Sequence, residues 1–393
     1  MKQLKQKPTV LSMFCGCGGL DLGFHQNGYD VVWANDINED ACLTYEQNLG
    51  TVVRGNIEDL EMPNIEDLDV LLSGFPCQSF SNAGNRKGIN EKRGNLYKFT
   101  LKYIKELRPK VVVMENVRGL LSTKTESGYL LPEICESLSS LNYEVHFNLI
   151  NASHYGVPQN RLRVLVVAIN KDAQIGNFHF PEPIRDTELT LEKTIFDIPE
   201  DTPNQDEILR LNPQAIYLGS FVPEGGSWKD IPTEVLPDRL KRIRDNMEKY
   251  RWPNFYRRFR RDEVAGTITA AFKPENAGVW HPVENRVFTA REIARIQSFP
   301  DDFIFCGRSV KANYEMIGNA VPPKLSYVFA KSIKEILKGE NLPQREPVRY
   351  FSQIKYGTTP IKVGGPEIIF DKNVQNEEHV EYEQLDLLSV IGE

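Results

Sequence analysis

The chain has 393 residues, 40% of them apolar and 26% charged, a composition that fits a soluble globular protein with a large core and a second, smaller domain. Its net charge of −7 argues mildly against nucleic-acid binding, although an average hides local clustering. The 6 cysteines lack the spacing of a disulfide framework, and no membrane-length apolar run or secretory leader is visible, so a reduced, cytoplasmic protein is expected.

Val10-Leu11-Ser12-Met13-Phe14 reads as a first strand running into Cys15-Gly16-Cys17-Gly18-Gly19, a glycine-rich turn that opens a helix. Glycines let backbone approach a ligand closely, but such a turn is weak by itself, and it lacks the Gly-Lys-Ser/Thr of a P-loop. Cys15-Gly16-Cys17 has no matching pair elsewhere, so no metal is expected. Residues 29–35 form a second strand ending at Asp36, which suits a ribose hydroxyl or, alternatively, the cap of a helix beginning near Asn38.

Val70-Leu71-Leu72-Ser73 reads as a buried strand that leads into Gly74-Phe75-Pro76-Cys77-Gln78-Ser79-Phe80-Ser81. Pro76 fixes its own φ, so Cys77 is presented on a stiff turn at a strand exit, where α/β enzymes place their chemistry. Alone, such a cysteine is more often a small buried hydrophobe. Residues 82–95 are polar and glycine-rich, with Arg86, Lys87, Lys92 and Arg93, and read as an ordinary mobile surface loop or, with Cys77 as a nucleophile, as a lid beside it. Helical spacing follows over 97–107. Val111-Val112-Val113-Met114 then leads to Glu115-Asn116-Val117. A helix over 130–141 and a strand over 143–150 precede Gln159-Asn160-Arg161-Leu162-Arg163 and a further apolar run, 164–169. Alternation of this kind predicts an α/β fold with a doubly wound parallel sheet. It also puts a cysteine, a carboxylate and two arginines at the ends of neighbouring strands.

From 171 to 287 prolines are frequent and periodicity is poor, as expected of a second domain. Between Arg239 and Arg261 ten basic residues face two acidic ones, a local charge of +8, with Trp252, Phe255, Tyr256 and Phe259 interleaved. A basic run is more often a solvated helix face, but the aromatic interleaving in an acidic protein favours a phosphate-contacting surface. Arg257, Arg258, Arg260 and Arg261 are its densest part. Thr289-Ala290-Arg291-Glu292 is a capping box, and Gly318-Asn319-Ala320-Val321-Pro322-Pro323 precedes a helix to about 337. Beyond 339 the chain turns polar and then acidic, as a solvated, partly disordered extension would.

Pro76-Cys77-Gln78, Glu115-Asn116-Val117, Gln159 to Arg163 and Gly318 to Pro323, in this order, resemble the motifs of the DNA (cytosine-5) methyltransferase family of bacterial restriction–modification systems. The resemblance runs from about Val10 to Lys338. It implies a Rossmann-like sheet that uses S-adenosylmethionine, over residues 1–170 and 288–339, a target recognition domain over 171–287, and an appended 340–393. It would set Phe14, Gly16, Gly18, Gly19, Ile37, Pro76 and Asn319 around the cofactor, with Asp36 on its ribose. Where the family usually has an aspartate for the adenine amino group, this chain has Asn56, whose side-chain oxygen can still accept. Gln78, Ser81, Arg86 and Thr267 would meet double-stranded DNA, bound by a monomer without metal.

Carbon 5 of cytosine is a weak nucleophile until a thiolate adds at C6. A free thiol ionises near pH 8.5, so an electropositive neighbour is needed, and Arg161 and Arg163 are available for it; a structural ion pair is the alternative for Arg161. The family puts Arg163 near the base and the thiol, and gives Glu115 the role of acid at N3. The other readings are a tRNA cytosine-5 methyltransferase, a catalytically silent nucleic-acid-binding relative and a glycine-turn dehydrogenase. The long region from 171 to 287 favours DNA over tRNA, and the intact Cys77, Glu115 and Arg163 set disfavours the last two.

Overall fold

The computed structural model describes residues 7–76, 96–125, 128–184, 188–246, 255–271, 279–342, 349–351, 363 and 367–370. In chain order the first half contains β1 (Thr9–Met13), α1 (Gly19–Gln26), β2 (Asp30–Asp36), α2 (Glu39–Asn48), β3 (Val53–Arg54), β4 (Val70–Ser73), α3 (Leu96–Leu107), β5 (Val111–Val117), β6 (Lys124–Thr125), β7 (Gly128–Tyr129), α4 (Leu130–Ser140), β8 (Tyr143–Asn151) and β9 (Leu162–Asn170). The short helices α5 (Leu191–Ile195), α6 (Pro213–Gly219) and α7 (Asp238–Arg244) follow. The chain then forms α8 (Ala290–Ile296), α9 (Val310–Asn319), α10 (Pro323–Leu337), β10 (Arg349–Phe351) and β11 (Ile368–Phe370).

One sheet runs in the order β10-β11-β8-β9-β5-β4-β1-β2-β3. Its central strands β1, β4 and β5 are largely apolar on both faces because both faces are covered. The two-residue period divides them. Leu11, Met13, Leu71, Val112 and Met114 pack with Tyr103 and Ile104 of α3 and Ile134 and Leu138 of α4. Val10, Val70, Leu72, Val111 and Val113 pack with Leu20 and Phe24 of α1 and Leu325, Phe329 and Ile333 of α10. Helix α10 lies so close to α1 that a Cβ on Gly23 would stand 2.3 Å from the Tyr327 nitrogen. A smaller cluster, including Leu218, Trp228, Ile231, Leu240, Tyr256 and Trp280, forms a separate core in the proline-rich region.

Two sequence expectations are corrected. The sheet is mixed: β1 to β5 are parallel, but β9 runs antiparallel to both β5 and β8. The C-terminal extension also supplies a strand. Ile368, Ile369 and Phe370 of β11 are buried and pair antiparallel with Phe147, His146 and Val145 of β8. Glu367, just before β11, makes a short hydrogen bond with His146 Nδ1 and another at 3.0 Å with His179 Nδ1. An apolar triplet with a partly buried acidic anchor therefore docks, although the stretch around it is polar. Among the described residues no helix is long and apolar enough to cross a membrane.

Candidate active site and cofactor cradle

The parallel strands end at one edge, and the candidate residues gather there. Past β1, Phe14 and Gly16 both adopt φ 56 and Gly18 φ 92, turning the chain sharply into α1. The glycines of this turn have different reasons. A Cβ on Gly16 would meet nothing within 4 Å, so its backbone faces open space. A Cβ on Gly18 would lie 2.3 Å from Leu49 Cδ1, and one on Gly19 2.3 Å from the Val321 carbonyl oxygen. Gly18 is thus required by its φ of 92, and Gly19 by packing against the segment before α10.

Asp36 closes this turn. Its Oδ2 accepts from the Gly16 amide and its Oδ1 from the Asn38 amide, both at 2.8 Å. Burial raises its pKa, and these backbone donors oppose the rise. The cap of α2 is Asn38, which accepts from Ala41, and not Asp36. Ile37 is 69% exposed beside it, a bare apolar surface next to a carboxylate. Among the described residues the Asn56 side chain makes a long local contact, 3.4 Å from the Glu58 amide to its Oδ1. Asn319 is exposed at the end of α9. An open glycine backbone, a carboxylate and an exposed apolar side chain fit the ribose and adenine of a nucleoside cofactor. Asp21, which sequence reasoning passed over, is buried on α1, where it accepts from Ser12 and Tyr45, and burial pushes its pKa up to about 6. A lone acid between Leu20 and Leu22 was the available signal.

At the end of β5, Asn116 Nδ2 donates to the Phe75 carbonyl at 2.9 Å and so braces the turn that reaches Pro76. Cys77, Gln78, Ser81, Arg86 and the expected lid lie outside the described residues. Glu115 and Arg163, both buried, are joined by Nε to Oε1 at 2.7 Å. Arg163 Nη1 also donates to the Leu162 carbonyl at 2.7 Å. Burial works against the Arg163 charge, and Glu115 opposes that effect. Arg161 differs from expectation. It is fully buried and makes no ion pair among the described residues; carbonyl oxygens of Ile268, Gly318 and Ala320 take its guanidinium. Beside it Gln159, quoted in the motif but given no task, accepts from the Ile268 amide at 2.9 Å.

The basic segment also departs from its sequence reading. Arg258 is buried and donates to the carbonyls of Val222, His281, Glu284 and Gly219, with its guanidinium over the Trp280 ring at 5.5 Å. It is a structural brace with no donor directed at solvent. Arg257 pairs with Glu263, Arg260 with Asp262 and Arg261 with Glu224. The +8 count stopped at Arg261, just before Asp262 and Glu263, and missed Glu224 altogether. Arg260 and Arg261 remain exposed, and exposed pairs of this kind are weak enough to exchange for phosphates. Thr267 is exposed, with its hydroxyl donating to the Asn160 carbonyl at 2.7 Å. Among the described residues no cluster of His, Cys, Asp or Glu could hold a metal.

Residues 9–335 match the family model of the C-5 cytosine-specific DNA methylases. The Type II methyltransferase M.NgoFVII of Neisseria gonorrhoeae is 40% identical over 343 residues, covering 84% of this chain and 87% of its own. M.Eco47II of Escherichia coli is 34% identical over 350 residues, covering 84% and 79%. Among solved structures, the DNMT2 of Spodoptera frugiperda, determined as a mutant, superposes with a TM-score of 0.59 at 19% identity, covering 84% of this chain and 100% of that one. The S. pombe Dnmt2 methyltransferase gives 0.53 at 19%, covering 84% and 99%. At such identities these two show the fold alone.

Proposed function

The chain belongs to the C-5 cytosine-specific DNA methylase family, and on that premise we propose that it methylates C5 of a cytosine within a specific double-stranded DNA sequence through covalent addition of Cys77. The observation that carries the reading is the buried Glu115–Arg163 pair at the strand edge, beside the braced Phe75-Pro76 turn that leads into Cys77.

The target base is reachable only when flipped out of the duplex. Cys77 attacks C6 as a thiolate, forming the S–C6 bond. Glu115, at N3, donates a proton as the ring's electrons shift, and C5 becomes enamine-like. Arg163 fixes the Glu115 carboxyl by its 2.7 Å contact, so the acid meets N3 in one orientation. Bound S-adenosylmethionine supplies the electrophilic methyl group. Loss of the C5 proton to a base, with water a sufficient acceptor, restores the C5–C6 double bond and expels the Cys77 thiolate, while the N3 proton returns to Glu115. Phe14, Gly16, Asp36, Ile37 and Asn319 form the cofactor cradle in this reading, with Pro76 beside it and Asn56 at the adenine edge. Residues 171–287 are the recognition region, with Thr267, Arg260 and Arg261 facing DNA. Its relatives are named Type II methyltransferases, so protection of cytoplasmic DNA from a cognate endonuclease is the matching role. Bisulfite sequencing of plasmid DNA from cells expressing the chain tests it: one cytosine in one sequence context should resist conversion, and uniformly converted plasmid would overturn the proposal.

A further inference from the structure

Two segments far apart in the chain converge on Arg161. Its Nη1 donates to the Ile268 carbonyl at 2.7 Å, and its Nη2 to the carbonyls of Gly318 at 2.8 Å and Ala320 at 3.1 Å. Ile268 lies between Thr267 and Thr269, and Gly318 and Ala320 flank Asn319. Gln159 strengthens the junction. It takes the Ile268 amide on Oε1 and donates through Nε2 to Gln297 at 2.9 Å, and Gln297 in turn donates to the Ile317 carbonyl at 2.7 Å. The two outer segments also touch directly: a Cβ on Gly318 would stand 2.5 Å from the Ala270 nitrogen. Two residues along, Arg163 holds Glu115.

A buried guanidinium hydrogen-bonded only to carbonyls loses hydration without a direct ion pair to offset it, and the nearby Glu115 charge opposes that loss only in part. Its retention makes sense where geometry is the gain. The planar fork of arginine fixes three acceptors at once, which a flexible ammonium does not. The Ile268 carbonyl therefore cannot move without straining those on either side of Asn319. Both exposed side chains, Thr267 and Asn319, are presented from backbone that Arg161 anchors.

We propose that Arg161 is a positioning residue that couples the turn bearing Asn319 to the segment bearing Thr267, so that cofactor occupancy and duplex affinity are linked through it. The inference rests on the proposed function, in which those two residues face cofactor and DNA. Linkage is reciprocal, so either ligand serves to read it.

The test uses the full chain, S-adenosylhomocysteine, and a duplex carrying the sequence that bisulfite sequencing identifies. Calorimetry measures binding of the homocysteine alone, and fluorescence anisotropy measures duplex affinity with and without it. In the wild type the homocysteine should tighten the duplex about fivefold or more. In Arg161→Lys and Arg161→Met the gain should fall below about twofold, while the homocysteine alone still binds within about threefold of wild type. A merely structural role would weaken both ligands and leave their ratio intact. Hydrogen exchange on the wild type keeps the test decisive where a variant does not fold: the homocysteine alone should slow exchange of the Ile268 amide. Homocysteine binding with no effect on duplex affinity, or with protection absent at Ile268, overturns this inference alone. Failure of the homocysteine to bind overturns the functional reading with it.

Discussion

Glu367→Gln should destabilise the protein more at pH 6 than at pH 9. The Glu367 carboxylate lies against His146 Nδ1 and 3.0 Å from His179 Nδ1, and it accepts from the Phe180 amide at 3.3 Å. The other His146 nitrogen meets Glu144 at 2.8 Å. Burial opposes a charge on His146, but the hydrogen bonds from Glu144 and Glu367 outweigh it, and its pKa is raised above 6.5. A raised folded-state pKa contributes stability that is fully present below the unfolded value, about 6.5, and is lost as pH climbs through the folded one. Hydrogen bonds to charged groups contribute about 1.5–3 kcal/mol each. The glutamine side chain would keep a neutral contact to His146 in place of a charged one, so a loss of about 2–4 kcal/mol is expected at pH 6, shrinking as His146 becomes neutral in both proteins. Urea unfolding of both proteins at the two pH values gives the difference directly. An equal loss at pH 6 and pH 9 would refute a charged His146, and no loss at either would refute the docking of β11.

Cys77→Ser should abolish methylation while retaining S-adenosylhomocysteine binding, and duplexes carrying 5-fluorocytosine should trap only the wild type covalently, as a denaturing gel would show. Arg258→Met should cost about 3 kcal/mol or more in urea unfolding, because several buried carbonyls lose their donor. Arg260→Gln with Arg261→Gln should instead leave stability near wild type and lower the slope of log affinity against log salt by up to about 1.8, at about 0.9 per phosphate contact; an unchanged slope would place both side chains away from DNA. Gly318→Ala should lower the melting temperature sharply, since its Cβ would meet the Ala270 nitrogen and Thr269 carbonyl carbon at 2.5 Å, which are backbone atoms that cannot swing aside.

The strands β1, β4 and β5 were legible because each is a short, mostly apolar run buried on both faces, ended in β4 and β5 by a polar residue and in β1 by the glycine-rich turn. The same local signals located Glu115 and Arg163, whose pairing then needed only that their strands be neighbours. What escaped was set by partners distant in sequence. Gly19 looks like a ligand-facing glycine, yet its missing side chain makes room for Val321, some three hundred positions on. Arg258 looks like one of a row of solvent-facing cations, yet it is enclosed by carbonyls from 219 to 284. A window along the chain cannot show either, because the groups that pack against Gly19 and enclose Arg258 lie outside it.

The direction of β9 was misjudged because the sequence bounds, 143–150 and 164–169, leave thirteen residues between the two runs, whereas the strands of the structure are longer. Ten residues, 152–161, join β8 to β9, and a parallel crossover needs a dozen or more, usually with a helix. A connection of that length between adjacent strands has to return antiparallel. That return is what makes the site. Because β9 runs against β5, its first residues lie beside the last residues of β5, with Arg163 opposite Val117 and Leu165 opposite Glu115. In a parallel sheet the start of β9 would sit at the other edge, roughly 25 Å away for a strand of this length at about 3.3 Å per residue, and Arg163 could not reach Glu115. The hairpin also carries Gln159 and Arg161 to the same edge, where they meet Ile268 and Gly318. One antiparallel strand thus delivers both the arginine that holds the candidate acid and the arginine that joins the two flanking segments.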